Sequence, residues 1–197
     1  MSKIIDLYWD LGSTNTYFAI KLLEPLARKY DAKIIWHAFN VGFVFRSNNY
    51  VLMDEPRAKL INRRDDLYRW AEKYDLPFKV PEAFPIKTSR ALRGAIAMRH
   101  WDMEAAFIRE IMSAYWERGD GSIGSYETLR EIASSLGVDP DAFEVRAESE
   151  HVREALISST NAALERGVFG VPSIIVDDEL FWGKDRMEFV EDQLQRS

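Results

Sequence analysis

The 197-residue sequence contains no cysteine. Structural disulfides, thiolate metal sites and a nucleophilic or redox thiol supplied by the protein are therefore excluded. The histidines, His37, His100 and His151, lie far apart along the chain without the spacing of metal ligands, so no metal site is predicted. The sequence also lacks a run of about 18 apolar residues, which a membrane-spanning helix would need.

An excess of positive charge is also absent, since 32 acidic residues outnumber 26 basic ones and give a formal charge of −6. This balance argues against general binding to nucleic acid, although basic residues at 63–64 and within 87–99 allow a local basic pocket. Asp6 and Asp10 interrupt the apolar run behind Lys3, which is not the pattern of a secretory signal. We therefore expect a cytoplasmic protein.

The beginning of the chain predicts a strand–helix–strand unit. Residues 4–9 are rich in β-branched and aromatic side chains, turn formers follow at 10–13, and apolar positions recur at helical spacing from Thr14. Residues 32–39 predict a second strand, which implies a right-handed crossover and a parallel pair. Ser13 stands at the helix start, either as a simple N-cap or beside a helix terminus that binds an anion.

The middle of the chain predicts helices with no strand between them. We expect a loop with its own apolar anchor at 40–49, followed by a block of helices from 55 to 136. A loop marked by several prolines interrupts that block near residues 77–85. These residues therefore predict a separate helical module.

The end of the chain returns to mixed structure. We predict a helix over 148–166, a hairpin from Pro172 to Trp182 and a last helix that begins at Asp185. Removing the helical block leaves the order βαβ–αββα, the thioredoxin arrangement.

The predicted fold class is therefore α/β, a thioredoxin fold with an all-helical domain inserted after the second strand. Residues 1–45 and 137–197 are expected to form the two parts of the thioredoxin-like domain. Residues 46–136 are expected to form the insertion.

Several motifs, in one order along the chain, carry a resemblance to a known family. Residues 167–176 read GVFGVPSIIV, residues 180–186 read LFWGKDR, and residues 10–13 read DLGS with Tyr17 following. Further matches lie at 69–78, 90–93 and 114–116. Over essentially its full length the chain resembles the 2-hydroxychromene-2-carboxylate isomerases, relatives of the kappa-class glutathione transferases and of DsbA-type thioredoxin-fold proteins.

This resemblance implies glutathione as cofactor and the cis–trans isomerisation of 2-hydroxychromene-2-carboxylate to trans-o-hydroxybenzylidenepyruvate, a step of aromatic hydrocarbon catabolism. Ser13 occupies the position at which redox relatives carry a cysteine, so its hydroxyl would stabilise the thiolate of bound glutathione. Pro172 would follow a cis peptide bond and leave the backbone of Val171 open to pair with the tripeptide. From the residues alone, a trans proline at the start of an edge strand is favoured.

The same resemblance implies further contacts with glutathione. Asp185 and Arg186, at the start of the last helix, would contact the γ-glutamyl end, although an aspartate there also suits the helix dipole alone. Lys59 and either Asn48 or Asn49 would contact the glutathione backbone and the glycyl carboxylate. The sequence does not choose between the two asparagines.

The substrate is expected beside the helical insertion, where Lys87, Thr88 and Arg90 correspond to the electrophile pocket of the family. Lys87 or Arg90 would hold a substrate carboxylate, although either also suits a solvated helix surface. Lys87 replaces an asparagine common in these isomerases, and Thr14, a second hydroxyl, replaces the proline that commonly follows the serine. The change at Lys87 leaves the exact substrate open.

Two other functions compete with the isomerase. One is a kappa-like glutathione transferase or peroxidase that acts on another electrophile. The other is a DsbA-like protein that binds peptides at the Pro172 edge without chemistry. A homodimer is usual in the family and is expected here.

Overall fold

The computed structural model describes residues 3–51 and 54–196, so residues 1, 2, 52, 53 and 197 of the expected domain ranges lie outside it. One sheet contains β1 (Lys3–Trp9), β2 (Ala32–Ala38), β3 (Ser173–Val176) and β4 (Glu179–Trp182). The strand order is β2-β1-β3-β4, with β1 parallel to β2 and with β3 antiparallel to both β1 and β4. The predicted strand–helix–strand unit, the C-terminal hairpin and the thioredoxin fold class are thereby confirmed.

The described residues form nine α-helices, and none of these is long and apolar enough to cross a membrane. They are α1 (Thr14–Lys29), α2 (Val41–Ser47), α3 (Arg57–Lys73), α4 (Ser89–Met98), α5 (Glu104–Trp116), α6 (Tyr126–Ser135), α7 (Pro140–Ala147), α8 (Glu150–Glu165) and α9 (Met187–Arg196). Within the described part of the chain no strand lies between α2 and α8, as predicted.

Two helices correct the sequence-based prediction. The loop expected at 40–49 is mostly the helix α2, which begins where the Asn40 side chain accepts a hydrogen bond from the Phe43 N–H at 3.0 Å. Helix α7 was not predicted, although Asp139 caps it and Pro140 occupies its first position, a common helix-start pattern. It packs against α4 and α6, which both lie before residue 136 in the chain. The domain boundary expected at residue 136 separates α7 from these two neighbours, and it stays a prediction.

Strand β1 is covered on both faces, and this fixes the position of the residues that follow it. Ile5, Leu7 and Trp9 are fully buried in the core that also contains side chains of α1 and α9. Tyr8 lies on the opposite face, in a smaller cluster with Ala163 of α8. The turn that follows β1 is therefore held at the carboxyl end of the parallel pair, a common location of binding sites in α/β sheets.

Helix α4 approaches its neighbours closely at Gly94. A β-carbon there would lie 3.0 Å from the Phe143 ring of α7 and 3.1 Å from the Phe107 ring of α5. Both rings are fully buried, so neither moves away without repacking the core.

We predict that Gly94→Ala destabilises the protein by about 1–2 kcal/mol, because overpacking outweighs the roughly 1 kcal/mol that alanine gains in helix propensity. Urea unfolding measures the change. Ser134→Ala, on the exposed part of α6, is the control and should shift stability by no more than about 0.5 kcal/mol. A Gly94→Ala protein more stable than the wild type would contradict the close packing of α4.

Candidate active site

A cleft of about 1020 Å³ opens beside the end of β1. Its walls come from the turn at 12–15, from α2, from the first turns of α3, and from residues 169–171 with Trp182. Most of the lining is apolar and includes Val44, Phe45 and Phe84, with a few polar and charged groups among these side chains. This combination is typical of sites for small molecules.

Ser13 lies in this cleft at the start of α1. Its hydroxyl oxygen accepts a hydrogen bond from the Thr16 N–H at 3.2 Å, which confirms that Ser13 is the N-cap of the helix. The same hydroxyl donates to the carbonyl oxygen of Val171, also at 3.2 Å. The helix start and the segment before β3, 158 residues apart in sequence, therefore meet at one oxygen atom.

The Val171–Pro172 peptide bond is cis, as predicted, and a second cis bond at Phe84–Pro85 was not predicted. Val171 lines the cleft, and its carbonyl oxygen accepts the Ser13 hydroxyl. Among the residues that the structure describes, none accepts a hydrogen bond from the Val171 N–H. A backbone donor and acceptor side by side can pair with an extended peptide.

Asp10 lies beneath the Ser13 turn and was not identified as a site residue by sequence analysis. It is fully buried, and its carboxylate accepts the Gly12 N–H at 2.8 Å, the Val41 N–H at 3.0 Å and the Thr88 hydroxyl. Burial raises the pKa of this carboxyl to about 6, while the hydrogen bonds from Gly12, Thr88 and Val41 limit the rise. The available signal was an acidic residue placed directly after a buried strand.

The three residues expected to bind substrate do not line the cleft. Thr88 is buried beneath the turn, where its methyl group would lie 3.2 Å from a β-carbon on Gly12 and its hydroxyl bonds to Asp10. Lys87 is exposed, and the guanidinium group of Arg90 lies 5.4 Å above the ring of Tyr126. Substrate binding by these residues stays a prediction.

The residues expected to contact glutathione fall into two groups. Asn48 and Lys59 line the same cleft as Ser13 and Val171, whereas Asn49 does not. Asp185 and Arg186 lie outside the lining, where their side chains pair with each other at 2.6 Å. Both lie in a short 3-10 turn before α9, so the last α-helix begins at Met187, two residues later than predicted.

Cations outnumber carboxylates in the cleft lining. Arg57, Lys59, Arg63 and Arg64 project from the first turns of α3, and Glu55 is the acidic residue among the described lining residues. Burial opposes the ionisation of Glu55, but hydrogen bonds from Lys59 and Tyr50, together with the charge of Arg63, outweigh it and lower its pKa.

Arg57 is the least neutralised of these cations. Within the described ranges 3–51 and 54–196 it forms no ion pair, whereas Lys59 and Arg63 both pair with Glu55. The cleft therefore favours an anionic ligand.

Comparison with known proteins gives consistent matches over nearly the whole chain. A family model described as the DSBA-like thioredoxin domain matches residues 4–195. The 2-hydroxychromene-2-carboxylate isomerase of Pseudomonas sp. (strain C18) is 33% identical over 199 residues, which cover 95% of this chain and 88% of that protein. A solved structure of a 2-hydroxychromene-2-carboxylate isomerase matches with a TM-score of 0.86 at 31% identity, covering 98% of this chain and 95% of that one.

A more distant solved structure shares the fold. The cytosolic disulfide reductase DsbM from Pseudomonas aeruginosa, in a structure with GSH, matches with a TM-score of 0.68 at 18% identity. That match covers 98% of this chain and 99% of DsbM.

The buried carboxyl of Asp10 leads to a prediction about stability and pH. Its folded-state pKa of about 6 exceeds the ordinary value of 3.8, so the folded protein binds this proton more tightly than the unfolded chain. The resulting stabilisation is complete below about pH 4 and is lost as the pH rises through about 6. It amounts to at most about 3 kcal/mol.

We expect Asp10→Asn to lack this loss, so that the difference in unfolding free energy between the wild type and the variant changes between about pH 4 and 7. Urea unfolding at several pH values measures the difference. Asp139→Asn, which changes an exposed helix cap and keeps Asp10, is the control, and its difference from the wild type should show no step near pH 6. Parallel stability profiles for wild type and Asp10→Asn would contradict the raised pKa.

Proposed function

Because the chain belongs to the 2-hydroxychromene-2-carboxylate isomerase family of DSBA-like thioredoxin domains, we propose that it isomerises 2-hydroxychromene-2-carboxylate, or a close analogue, with glutathione as cofactor. The product would be trans-o-hydroxybenzylidenepyruvate. The observation that carries this proposal is the position of the Ser13 hydroxyl, between the start of α1 and the Val171 carbonyl, inside the cleft.

The residues of the cleft fit a tripeptide that carries a thiol. Val171 offers a backbone N–H with no described acceptor, next to a carbonyl that faces Ser13. The cations of α3 suit a carboxylate, and a protein of the same fold has been solved with GSH. When bound, glutathione would supply the sulfur nucleophile that this cysteine-free chain lacks.

The Ser13 hydroxyl has one proton, and the Val171 carbonyl accepts it in this structure. A backbone N–H that pairs with that carbonyl would compete for the same acceptor and so release the hydroxyl to donate into the cleft. The hydroxyl oxygen would keep its bond from Thr16 and therefore its position. Together with the positive end of the α1 dipole, the redirected hydroxyl would favour a thiolate over a thiol.

The remaining contacts are proposed from their positions. Asn48 is the better candidate of the two asparagines, because it lines the cleft. Lys59 would share its charge between Glu55, which it contacts at 3.1 Å, and the glycyl carboxylate. The roles of Asp185 and Arg186, the homodimer, the domain division and the cytoplasmic location stay predictions.

Paired assays separate this function from its two rivals. We expect turnover of 2-hydroxychromene-2-carboxylate that requires added glutathione, and slower or no reaction of glutathione with a generic aryl halide. The reverse order of rates would favour a kappa-like glutathione transferase. If calorimetry shows binding of a peptide but no binding of glutathione, the result would favour the DsbA-like binding protein and contradict our proposal.

Ser13 gives a direct test of the proposed chemistry. We predict that Ser13→Ala raises the pKa of the bound glutathione thiol and slows turnover on the order of 100-fold, by analogy with the loss of one oxyanion donor. Ultraviolet absorbance of the thiolate, followed across pH, measures the thiol pKa apart from turnover.

Two further variants serve as controls for Ser13→Ala. Ser13→Gly also lacks the hydroxyl but keeps most of the N-cap stability, which alanine loses by about 1 kcal/mol, so both variants should show the same thiol pKa. Thr14→Val removes the neighbouring hydroxyl and should leave the thiol pKa unchanged. A thiol pKa in both Ser13 variants equal to that in the wild type would remove Ser13 from the mechanism.

A further inference from the structure

Two aromatic side chains stand exposed at one wall of the cleft. Phe169 is 58% exposed and Trp182 is 51% exposed, and their ring centroids lie 5.1 Å apart with an interplanar angle of 56°. Both residues line the cleft that contains Ser13. A contiguous exposed aromatic surface beside a concave site indicates a ligand contact rather than ordinary surface composition.

The indole of Trp182 is held in place although half of it faces solvent. It lies against the backbone of Gly170, where an added β-carbon would be 3.1 Å from the indole nitrogen and 3.7 Å from the adjoining ring carbon. Phe169 packs against the same indole. The backbone of Trp182 pairs with that of Ser173 in β3, at the end of the hairpin. An aromatic ring that is ordered before binding loses little entropy when a ligand stacks on it.

This surface adjoins the part of the cleft that we assign to the cofactor. Gly170 directly precedes Val171, whose open backbone faces Ser13. A ring lying on Trp182 would therefore be next to the reacting sulfur position. The lining of the same cleft includes Arg57 and Arg64, so a ring with a negative substituent is the electrostatic complement.

We propose that Phe169 and Trp182 form a stacking platform for the planar ring of an aromatic carboxylate substrate, with Gly170 keeping the indole in position and the cations of α3 attracting the carboxylate. The proposal rests on the proposed function for the reaction itself, but the platform binds its ligand without turnover. It places substrate recognition at the 169–171 segment and α3, instead of at Lys87 and Arg90.

Binding of simple probes tests the platform. Naphthoate and cyclohexanecarboxylate carry the same charge, but only naphthoate has a planar aromatic ring. We expect the wild type, measured by calorimetry with and without saturating glutathione, to bind naphthoate more tightly than cyclohexanecarboxylate. Trp182→Ala should weaken naphthoate binding on the order of ten-fold and leave cyclohexanecarboxylate nearly unaffected.

Matched variants separate the platform from general effects. Phe189→Ala removes an aromatic side chain of similar exposure, 57%, that does not line the cleft, and should leave naphthoate binding unchanged. Gly170→Ala keeps the indole but displaces it, so it should weaken naphthoate binding as Trp182→Ala does. Arg57→Ala should weaken both carboxylate probes, whereas Lys87→Ala should weaken neither.

Three outcomes would overturn the platform. Equal naphthoate affinity in the wild type and Trp182→Ala would show that no stacking occurs. Competition between naphthoate and glutathione would assign the surface to the tripeptide. If the shielding of Trp182 from iodide quenching increases with protein concentration, the aromatic surface belongs to a contact with a second copy of the chain.

The failure of the proposed function gives a different pattern of results. If the protein binds naphthoate on Trp182 but does not turn over 2-hydroxychromene-2-carboxylate, the isomerase assignment fails and the platform stands. If turnover is normal in Trp182→Ala and in Gly170→Ala, with unchanged KM, the platform fails and the isomerase assignment stands.

Discussion

A single buried carboxylate joins the parts of the chain that form the active-site cleft. Asp10 receives hydrogen bonds from Gly12 in the turn before α1, from Val41 at the start of α2 and from Thr88 at the start of α4. These partners belong to three segments that are far apart in sequence but meet below Ser13. Since a buried carboxylate without its hydrogen bonds is very costly, the three segments are constrained to remain together. The position of Ser13 depends on this constraint.

The charge of Asp10 also sets the electrostatic conditions of the proposed chemistry. Among the described residues no cation pairs with it, so its negative charge is balanced only by hydrogen bonds, and its pKa lies near 6. At neutral pH an ionised Asp10 opposes a second anion nearby. In our proposal the start of α1, the Ser13 hydroxyl and the cations of α3 have to outweigh that repulsion before a thiolate is stable in the cleft. The absence of cysteine makes this balance a matter of cofactor binding rather than of a protein thiol.

The sequence by itself determined much of the fold and part of the site, because those features depend on neighbours along the chain. The βαβ unit, the C-terminal hairpin and the helical block follow from periodicity and turn residues. The place of Ser13 at the start of α1 follows from one strand, one turn and one helix. The cis bond before Pro172 and the family itself came from resemblance over several motifs, not from any local rule. Helix α7 also has a local signal, in Asp139 and Pro140 at its start.

Only the tertiary structure decided which distant side chains share the cleft. It brought Ser13 next to Val171 and placed Asp10 under the Ser13 turn, and it left Lys87 and Arg90 outside the lining. It also put the exposed Phe169–Trp182 pair beside Val171, in the cleft of our proposed cofactor site, which neither residue type nor spacing indicates. The physical reason is that a pattern fixes the face on which a side chain lies within its own helix or strand. The distance between two such faces is set by how the elements pack on the sheet, and that depends on contacts between residues remote in sequence.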